Sequence, residues 1–598
     1  MIVKVEDLQN KQVFTHKRYL TLLKWIMQGA KLNHLNTLYK EQYSSNPDEF
    51  IENIFEVLEI RPEYLEKELE SIPKEGSFMA YANHPMGILD GLLFIYLLRK
   101  RRTDIKILAN DLLSRIEPLK DLLIPVDLYA GKSASKNNVA GIKQMYGHLN
   151  DGGGVLIFPA GEVSTIYDGR IQDKEWKKSV VKLMVKSKVP LIPVFFDGKN
   201  SLSFHLKGKI NSTWRTLSLA TEMYNKQNTS IGVRIGKTIT SEKLDTCIDL
   251  DDKYAYLRAR IYGLSNPKKE SVTDQLLQKI KLKPAKLAKE ISVKHLKKEV
   301  KSLTEEQKIL EIGSLQLFLV KEKECPSIIY EIGRLREITF REVGEGTGKS
   351  LDVDVFDSYY HHLFIWDKDS NCVVGSYRVG FGDEIIKEFG KSGFYLNRLF
   401  KFKKDFKPVL ERSIELGRSF IRLEYQRHPL TLLLLWQGIL ELLIRNDKYR
   451  YLLGAVSISN DFSTISKEIM ILYLKSQFYD HERAKHIKAR KPFKVKYDDI
   501  SKTLLNAHQN SLKEIEDLIE ELEPFGLKIP VLLKKYLGQN AKIIGFNIDP
   551  NFNNCLDGLV LLDFAMVPSQ TIRKFSKSDP YQIFQRQNAF YYENAIQL

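Results

Sequence analysis

The sequence predicts two α/β units on one chain, and three observations carry that expectation. At 598 residues the chain is too long for one ordinary core. Short apolar runs alternate with amphipathic helical stretches through the first half. After a Lys-rich interruption the alternation resumes and contains a hairpin signal. With 43% hydrophobic residues the chain has the material for such cores, and disorder over its whole length is excluded.

Residues 17–40, which begin Lys17-Arg18-Tyr19-Leu20, have helical apolar spacing with basic and aromatic residues interleaved. Such a helix covers a core or lies at a bilayer interface, and core cover is the simpler reading. Ser77–Tyr81 reads as a strand, and Gly91–Leu98 as a helix closed by Arg99-Lys100-Arg101-Arg102. Ile105–Ala109, Val155–Phe158, Leu191–Phe196 and Ile231–Ile235 read as further strands. Functional groups are expected where these strands end and helices begin. The pattern fades near Tyr262-Gly263-Leu264.

From Pro267-Lys268-Lys269 to Lys297–Lys301 the chain is Lys-rich, with Leu and Ile interspersed. That reads as a basic amphipathic helix or an interdomain linker. The expected division is therefore 1–265, a linker at 266–312, and 313–598. In the second unit Ile328–Phe340 is helical. His362–Trp366 and Cys372–Val379 are strands joined by the polar turn Asp367–Ser370. The helix Leu430–Arg445 is apolar enough to be buried, and no internal repeat relates the two halves.

The net charge of +16 suits three partners: nucleic acid, an anionic membrane surface or an acidic carrier protein. No nucleic-acid motif accompanies it, so nucleic acid is set aside. Four cysteines, Cys247, Cys325, Cys372 and Cys555, lie far apart without metal-ligand spacing, which points to a reducing compartment. The first residues lack the layout of a signal peptide, and no window reaches the ~18 apolar residues of a spanning helix. The expected location is cytoplasmic, peripheral on the inner face of the cell membrane.

Chemistry enters at Ala82-Asn83-His84-Pro85-Met86-Gly87-Ile88-Leu89-Asp90-Gly91. A His held by an Asp makes a general base for a hydroxyl or amine nucleophile. A pair this close is more often a structural hydrogen bond, so the later blocks matter. They are Ile107–Asn110 to Ile124–Asp127, then Phe158-Pro159-Ala160-Gly161-Glu162-Val163, then Val189–Val194. Over roughly residues 50–250 these ordered blocks resemble the glycerolipid-type acyltransferases that acylate lysophosphatidic acid. The resemblance implies that His84 takes the acceptor's proton, that Asp90 orients the imidazole, and that the freed oxygen attacks an acyl thioester. It places Asn83, Phe158, Pro159, Gly161 and Glu162 in the substrate site. Backbone N–H groups around Gly161, or of the helix after His84, are the expected oxyanion donors.

Two departures qualify the match. Five residues rather than the family's usual four separate His84 from Asp90, a form that some relatives share. In the third block Ala160 stands for the usual Glu and Val163 for the usual Arg. A glycerol phosphate acceptor needs cationic donors, so losing that Arg argues for an acceptor without phosphate. Glu162 could then face an acceptor bearing an amine or amide.

Over about residues 315–575 the chain resembles the GNAT-type N-acyltransferases that make ornithine lipids. The matching residues include Arg336-Glu337-Ile338-Thr339-Phe340, Asp354-Val355-Phe356-Asp357, Gly375-Ser376-Tyr377-Arg378, Glu415-Leu416-Gly417-Arg418 and Asp549-Pro550-Asn551-Phe552-Asn553. Asp354, Asp357 and Glu415 are carboxylates able to hold or deprotonate an amine, with Glu415 the expected catalytic one. Arg336, Arg378 and Arg418 pair with them or with a substrate carboxylate, and a structural ion network is an equal reading. No glycine-rich loop suited to coenzyme A pyrophosphate is present. The expected donor is therefore acyl-ACP, with acyl-CoA as the alternative, and neither a metal nor a bound cofactor is expected. Gly344–Ser350 imitates a phosphate-binding loop, but its spacing is short and a helix-like segment precedes it, so it reads as a polar loop.

Together the two resemblances imply a bifunctional aminolipid synthase. The second unit N-acylates an amino acid of ornithine or glycine type with a 3-hydroxyacyl thioester, and the first O-acylates the new hydroxyl. The implied partners are an acyl carrier protein, a membrane surface and the lyso-lipid. The alternatives are a 1-acylglycerol-3-phosphate acyltransferase with an accessory domain, and a non-enzymatic membrane-binding module.

Overall fold

The computed structural model describes residues 32–109, 116–126, 135–167, 170–205, 218–265, 285–508, 511–523, 526–575 and 580–595. Most of the predicted helix at 17–40, the basic stretch at 266–284, Asn110 and Asp127 lie outside the described residues. The chain forms two compact units. One takes residues up to 265 with the segments 499–508 and 520–526, and the other takes the remainder.

In the first unit the strands are β1 (Arg61–Glu63), β2 (Phe78–Ala82), β3 (Ile105–Ala109), β4 (Leu123–Pro125), β5 (Gly154–Ile157), the hairpin pair β6 (Thr165–Tyr167) and β7 (Arg170–Gln172), β8 (Leu191–Asp197) and β9 (Ser230–Ile235). Seven of them form one sheet in the order β1-β9-β8-β2-β5-β3-β4. The five strands from β8 to β4 run parallel, whereas β9 is antiparallel to β8. Every residue of β2 is buried, as expected of a central parallel strand covered on both faces. Phe78, Ala80, Leu93, Phe94, Leu97, Phe196 and Val233 belong to its core. Because β2, β5 and β8 are adjacent and parallel, the residues that follow them emerge at one end of the sheet, the usual ligand edge of such folds.

In the second unit the strands are β10 (Lys308–Ile312), β11 (Leu315–Lys321), β12 (His361–Asp367), β13 (Cys372–Phe381), β14 (Phe400–Phe402), β15 (Ser413–Ile421), β16 (Tyr451–Ile458), β17 (Ile487–Ala489), β18 (Lys542–Asp549) and β19 (Cys555–Asp563). Eight form a sheet in the order β10-β11-β12-β13-β15-β16-β19-β18. All its neighbours are antiparallel except β15 and β16. A parallel pair needs a crossover, and the apolar helix Pro429–Arg445 supplies it. β15 and β16 pair only from Ser413↔Tyr451 to Leu416↔Gly454, although both strands continue. Where that pairing stops, Arg418 has a positive φ of 50°, and the β13–β15 register shifts between Ser376 and Arg378. A bulge of this kind re-aims side chains, here the two arginines.

The predicted hairpin is β12–β13, with Asn371 taking the left-handed position. Of the basic segment, Val293–Ser302 is helical, buries Leu296 and leaves its lysines at the surface. No helix among the described residues is long and apolar enough to cross a membrane.

Candidate functional site

Asn83 and His84 follow β2 directly. The Asn83 side chain donates to the Phe196 carbonyl (3.0 Å) and accepts from the Phe196 N–H (2.8 Å), extending β2 against β8. That fixes the point from which His84 projects. Its Nδ1 lies 3.0 Å from Asp90 Oδ2, and its ring stacks on Phe158 with centroids 4.0 Å apart. Asp90 is fully buried in the first turn of the helix Ile88–Arg99. The same Oδ2 accepts the N–H groups of Met86 (2.7 Å) and Gly87 (2.8 Å). An acceptor held this way takes Nδ1–H from the imidazole and leaves the Nε2 lone pair for an incoming hydroxyl.

The extra residue between His84 and Asp90 is absorbed at Gly87, whose φ of 83° and ψ of −120° suit glycine alone. A Cβ there would also lie 2.7 Å from Leu219 Cδ2 and 3.2 Å from Val163 Cγ2. Gly87→Ala is expected to cost about 1–3 kcal/mol and to displace Asp90. A lowered thermal midpoint with reduced O-acylation would register both effects.

Around Phe158 the chain turns tightly. Gly161 has a φ of 63°, and its N–H donates to the Phe158 carbonyl (2.9 Å), so it is committed to the turn. With the Met86 and Gly87 N–H groups committed to Asp90, the next donors beside His84 are those of the first helical turn from Ile88. Pro159 lies within that turn, and Glu162 pairs with Lys174 at 2.9 Å. Val163 is buried against Gly87, so no cation occupies that position.

Asp173 was not evident in the sequence. Its Oδ1 accepts the His84 backbone N–H (3.2 Å) and the Ser164 hydroxyl (2.5 Å), while Ser164 N–H donates to the His84 carbonyl (2.8 Å). Its own carbonyl accepts from Arg258 (2.7 Å). Burial raises the Asp173 carboxyl, and the Ser164 and His84 contacts partly offset this. The histidine's backbone is thereby tied to the segment after β5 and to the helix Leu250–Tyr262.

In the second unit the structure gathers five of the six remaining candidates, all but Glu415, into one ion network. Arg336 donates to both Asp357 oxygens (2.9 and 3.1 Å) and lies 3.2 Å from Asp352. Arg378 donates to Asp354 (2.7 Å) and lies 3.4 Å from Asp357. Arg418 sits 3.3 Å from Asp352, 3.8 Å from Asp354, and between the rings of Tyr395 and Phe552. Burial would raise Asp357, but the Arg336 and Arg378 guanidiniums hold it well below the usual carboxylate range. Glu415 lies beside this network. It accepts from the Tyr360 hydroxyl (2.6 Å) and the Leu396 N–H (2.9 Å). Burial pushes it up to about 7, with Tyr360 and Leu396 acting in the opposite sense.

In the Gly344–Ser350 loop, the N–H groups of Thr347 (3.0 Å) and Gly348 (2.9 Å) donate to the Glu337 carboxylate. A protein anion fills the position a phosphate would need, and only the short helical turn Val355–Ser358 follows.

Residues 10–270 match the family described as Acyltransferase, and residues 335–437 match the Acetyltransferase (GNAT) domain. A glycine N(alpha)-acyltransferase of Phocaeicola vulgatus is 28% identical over 260 residues, covering 41% of this chain and 79% of the relative. A lyso-glycine lipid O-acyltransferase of Bacteroides thetaiotaomicron is 29% identical over 259 residues, covering 42% of this chain and 93% of the relative. The lyso-glycine lipid O-acyltransferase of Phocaeicola vulgatus is 30% identical over 240 residues, covering 38% and 84% respectively. With the His84–Asp90 pair at the carboxyl edge of one sheet and a bulged, splayed sheet in the other unit, the chain belongs to the acyltransferases, uniting a glycerolipid-type acyltransferase domain with a GNAT domain in one enzyme.

Proposed function

We propose that this chain makes a phosphorus-free aminolipid by two successive acylations. The second unit transfers a 3-hydroxyacyl group from a thioester to the amine of an amino acid of glycine type, and the first acylates the resulting hydroxyl. One observation carries the reading: a single chain is similar both to glycine N-acyltransferases and to lyso-glycine lipid O-acyltransferases. The apolar Val163 against Gly87 supports it, because a phosphate-bearing acceptor calls for a cation in that block.

In the O-acylation, His84 Nε2 takes the hydroxyl proton while Asp90 stabilises the imidazolium. The oxygen attacks the thioester carbonyl, the C–O bond forms, the C–S bond breaks, and the imidazolium returns its proton to the departing thiolate. The helix N-terminus at Ile88 faces the charge that develops on the carbonyl oxygen. In the second unit, Glu415 holds Tyr360 and the 393–396 loop against the arginine network, and the gap opening between β15 and β16 suits an extended thioester arm. The net charge of +16 favours an acidic acyl carrier protein as donor and an anionic membrane surface as the working place of a single-chain amphiphile.

The test is a competition. Given one acyl thioester, N-(3-hydroxyacyl)glycine and lysophosphatidic acid together, the enzyme is expected to acylate the former at least ~10-fold faster by kcat/KM. Preference for lysophosphatidic acid overturns the reading.

A further inference from the structure

The ion network of the second unit is sealed at one end and open at the other. The side chains of Arg336, Arg378, Asp352 and Asp357 are at most 3% exposed. Asp354 and Arg418 reach the surface, with side chains 19% and 11% exposed. These two lie side by side, Arg418 Nη2 3.8 Å from Asp354 Oδ2. The accessible end of the network therefore presents one cation beside one anion.

The same two are its least committed members. Arg336 donates to both Asp357 oxygens (2.9 and 3.1 Å), and Arg378 donates to Asp354 Oδ1 (2.7 Å). Arg418 donates to no carboxylate among the described residues. Its hydrogen bond runs to the Tyr395 hydroxyl (3.3 Å), while its Nε, 3.3 Å from Asp352, has no hydrogen-bond partner. Asp354 divides in the same way. Its Oδ1 accepts from Arg378 and from the Phe356 N–H, whereas Oδ2 has only the Arg418 contact, beyond hydrogen-bond length. The backbone is strained to hold this arrangement, since Arg418 takes a φ of 50° although the neighbouring Gly417 would take a left-handed position freely. The guanidinium is clamped instead by ring faces, Tyr395 at 4.9 Å and Phe552 at 4.4 Å, which fix its position and leave N–H donors unused.

We propose that Arg418 and Asp354 receive the amino-acid acceptor of N-acylation as its zwitterion, the Arg418 guanidinium taking the carboxylate and Asp354 Oδ2 the ammonium. The assignment rests on the aminolipid reading above and adds to it the atoms that recognise the acceptor. An oriented guanidinium with free N–H donors suits a carboxylate, and an uncommitted carboxylate oxygen beside it suits an ammonium. A simple amine would leave Arg418 unmatched, and a simple carboxylic acid would leave Asp354 unmatched.

Charge and position agree with this. Arg336, Arg378 and Arg418 balance Asp352, Asp354 and Asp357, and a zwitterion leaves that balance unchanged, whereas a lone anion or cation would upset it beside buried charges. Arg418 also lies just past Leu416↔Gly454, the last pair between β15 and β16. An acceptor held there sits beside the gap assigned above to the thioester arm.

The experiment compares N-acylation of glycine and of glycinamide, the same amine without the carboxylate, by the full chain with one 3-hydroxyacyl thioester. The wild type is expected to favour glycine on the order of 100-fold in kcat/KM, chiefly through KM. Arg418→Gln is expected to bring that ratio within about threefold while glycinamide is acylated within about tenfold of the wild-type rate. A merely structural loss would lower both amines alike and leave the ratio in place. Asp354→Asn keeps an oxygen for the Phe356 N–H, and it is expected to raise KM for both amines, since both carry the ammonium. A wild-type ratio within about threefold, an Arg418→Gln variant that loses both amines alike, or an unchanged KM in Asp354→Asn overturns the assignment. A wild type that acylates neither amine overturns the aminolipid reading and the assignment with it.

Discussion

His84→Ala is expected to lower O-acylation by about 10²–10⁴-fold while N-acylation continues, so that the monoacyl intermediate accumulates. The size of the effect follows from what the ring does. A hydroxyl is a poor nucleophile near neutral pH, and the Nε2 of a histidine whose Nδ1 is held by Asp90 at 3.0 Å is the proton acceptor beside it. Alanine removes the base and leaves Asp90 Oδ2 held by the Met86 and Gly87 N–H groups, so the turn around it persists. The surrounding anchors do not involve the ring: Asp173 and Ser164 bind the His84 backbone. Binding of the lyso-lipid therefore changes less than kcat. Chromatography of the two products separates this outcome from simple loss of enzyme.

Asp357→Ala is expected to destabilise the second unit by about 3–5 kcal/mol, the largest single effect on stability. Asp357 is completely buried and serves two levels of structure. Locally its Oδ2 accepts the Asp354 N–H at 2.8 Å, and Asp354 Oδ1 accepts the Phe356 N–H at 2.9 Å, closing the short helical turn Val355–Ser358. Across the fold it neutralises Arg336 and Arg378, each 1% exposed. Removing it leaves two buried guanidiniums with Asp352 and Asp354 as their remaining carboxylate partners, and their charge cannot be relieved by deprotonation. Urea denaturation is expected to show the loss, together with weaker N-acylation, since the same network carries Arg418. An unchanged midpoint would mean that Asp352 and Asp354 alone suffice to neutralise the two arginines.

What the sequence revealed follows the distance over which the contacts act. His84, Asp90 and Phe158 were legible because each lies just past an apolar strand run, and parallel neighbours bring such positions to one edge. The extra residue before Asp90 looked like a defect in the spacing. In the fold, the glycine-only backbone at Gly87 accommodates it. The run Ile231–Ile235 identified β9 but carried no information about its direction, which pairing with β8 makes antiparallel. Asp173 was not legible as a site residue. It reaches His84 through a backbone hydrogen bond that leaves no pattern in the chain. The sequence leaves Arg378 and Arg418 equally as network members or substrate contacts, and the structure gives both of them carboxylate partners.

That one chain performs both acylations in order is checked by a time course on the purified full chain. It would receive isotope-labelled glycine, a 3-hydroxyacyl thioester and a second acyl thioester, with products followed by mass spectrometry. Labelled monoacyl glycine is expected to appear first and then to be converted to a diacyl lipid that retains the label and contains no phosphorus. Label that never enters lipid, or diacyl product formed at the wild-type rate by His84→Ala, would contradict it.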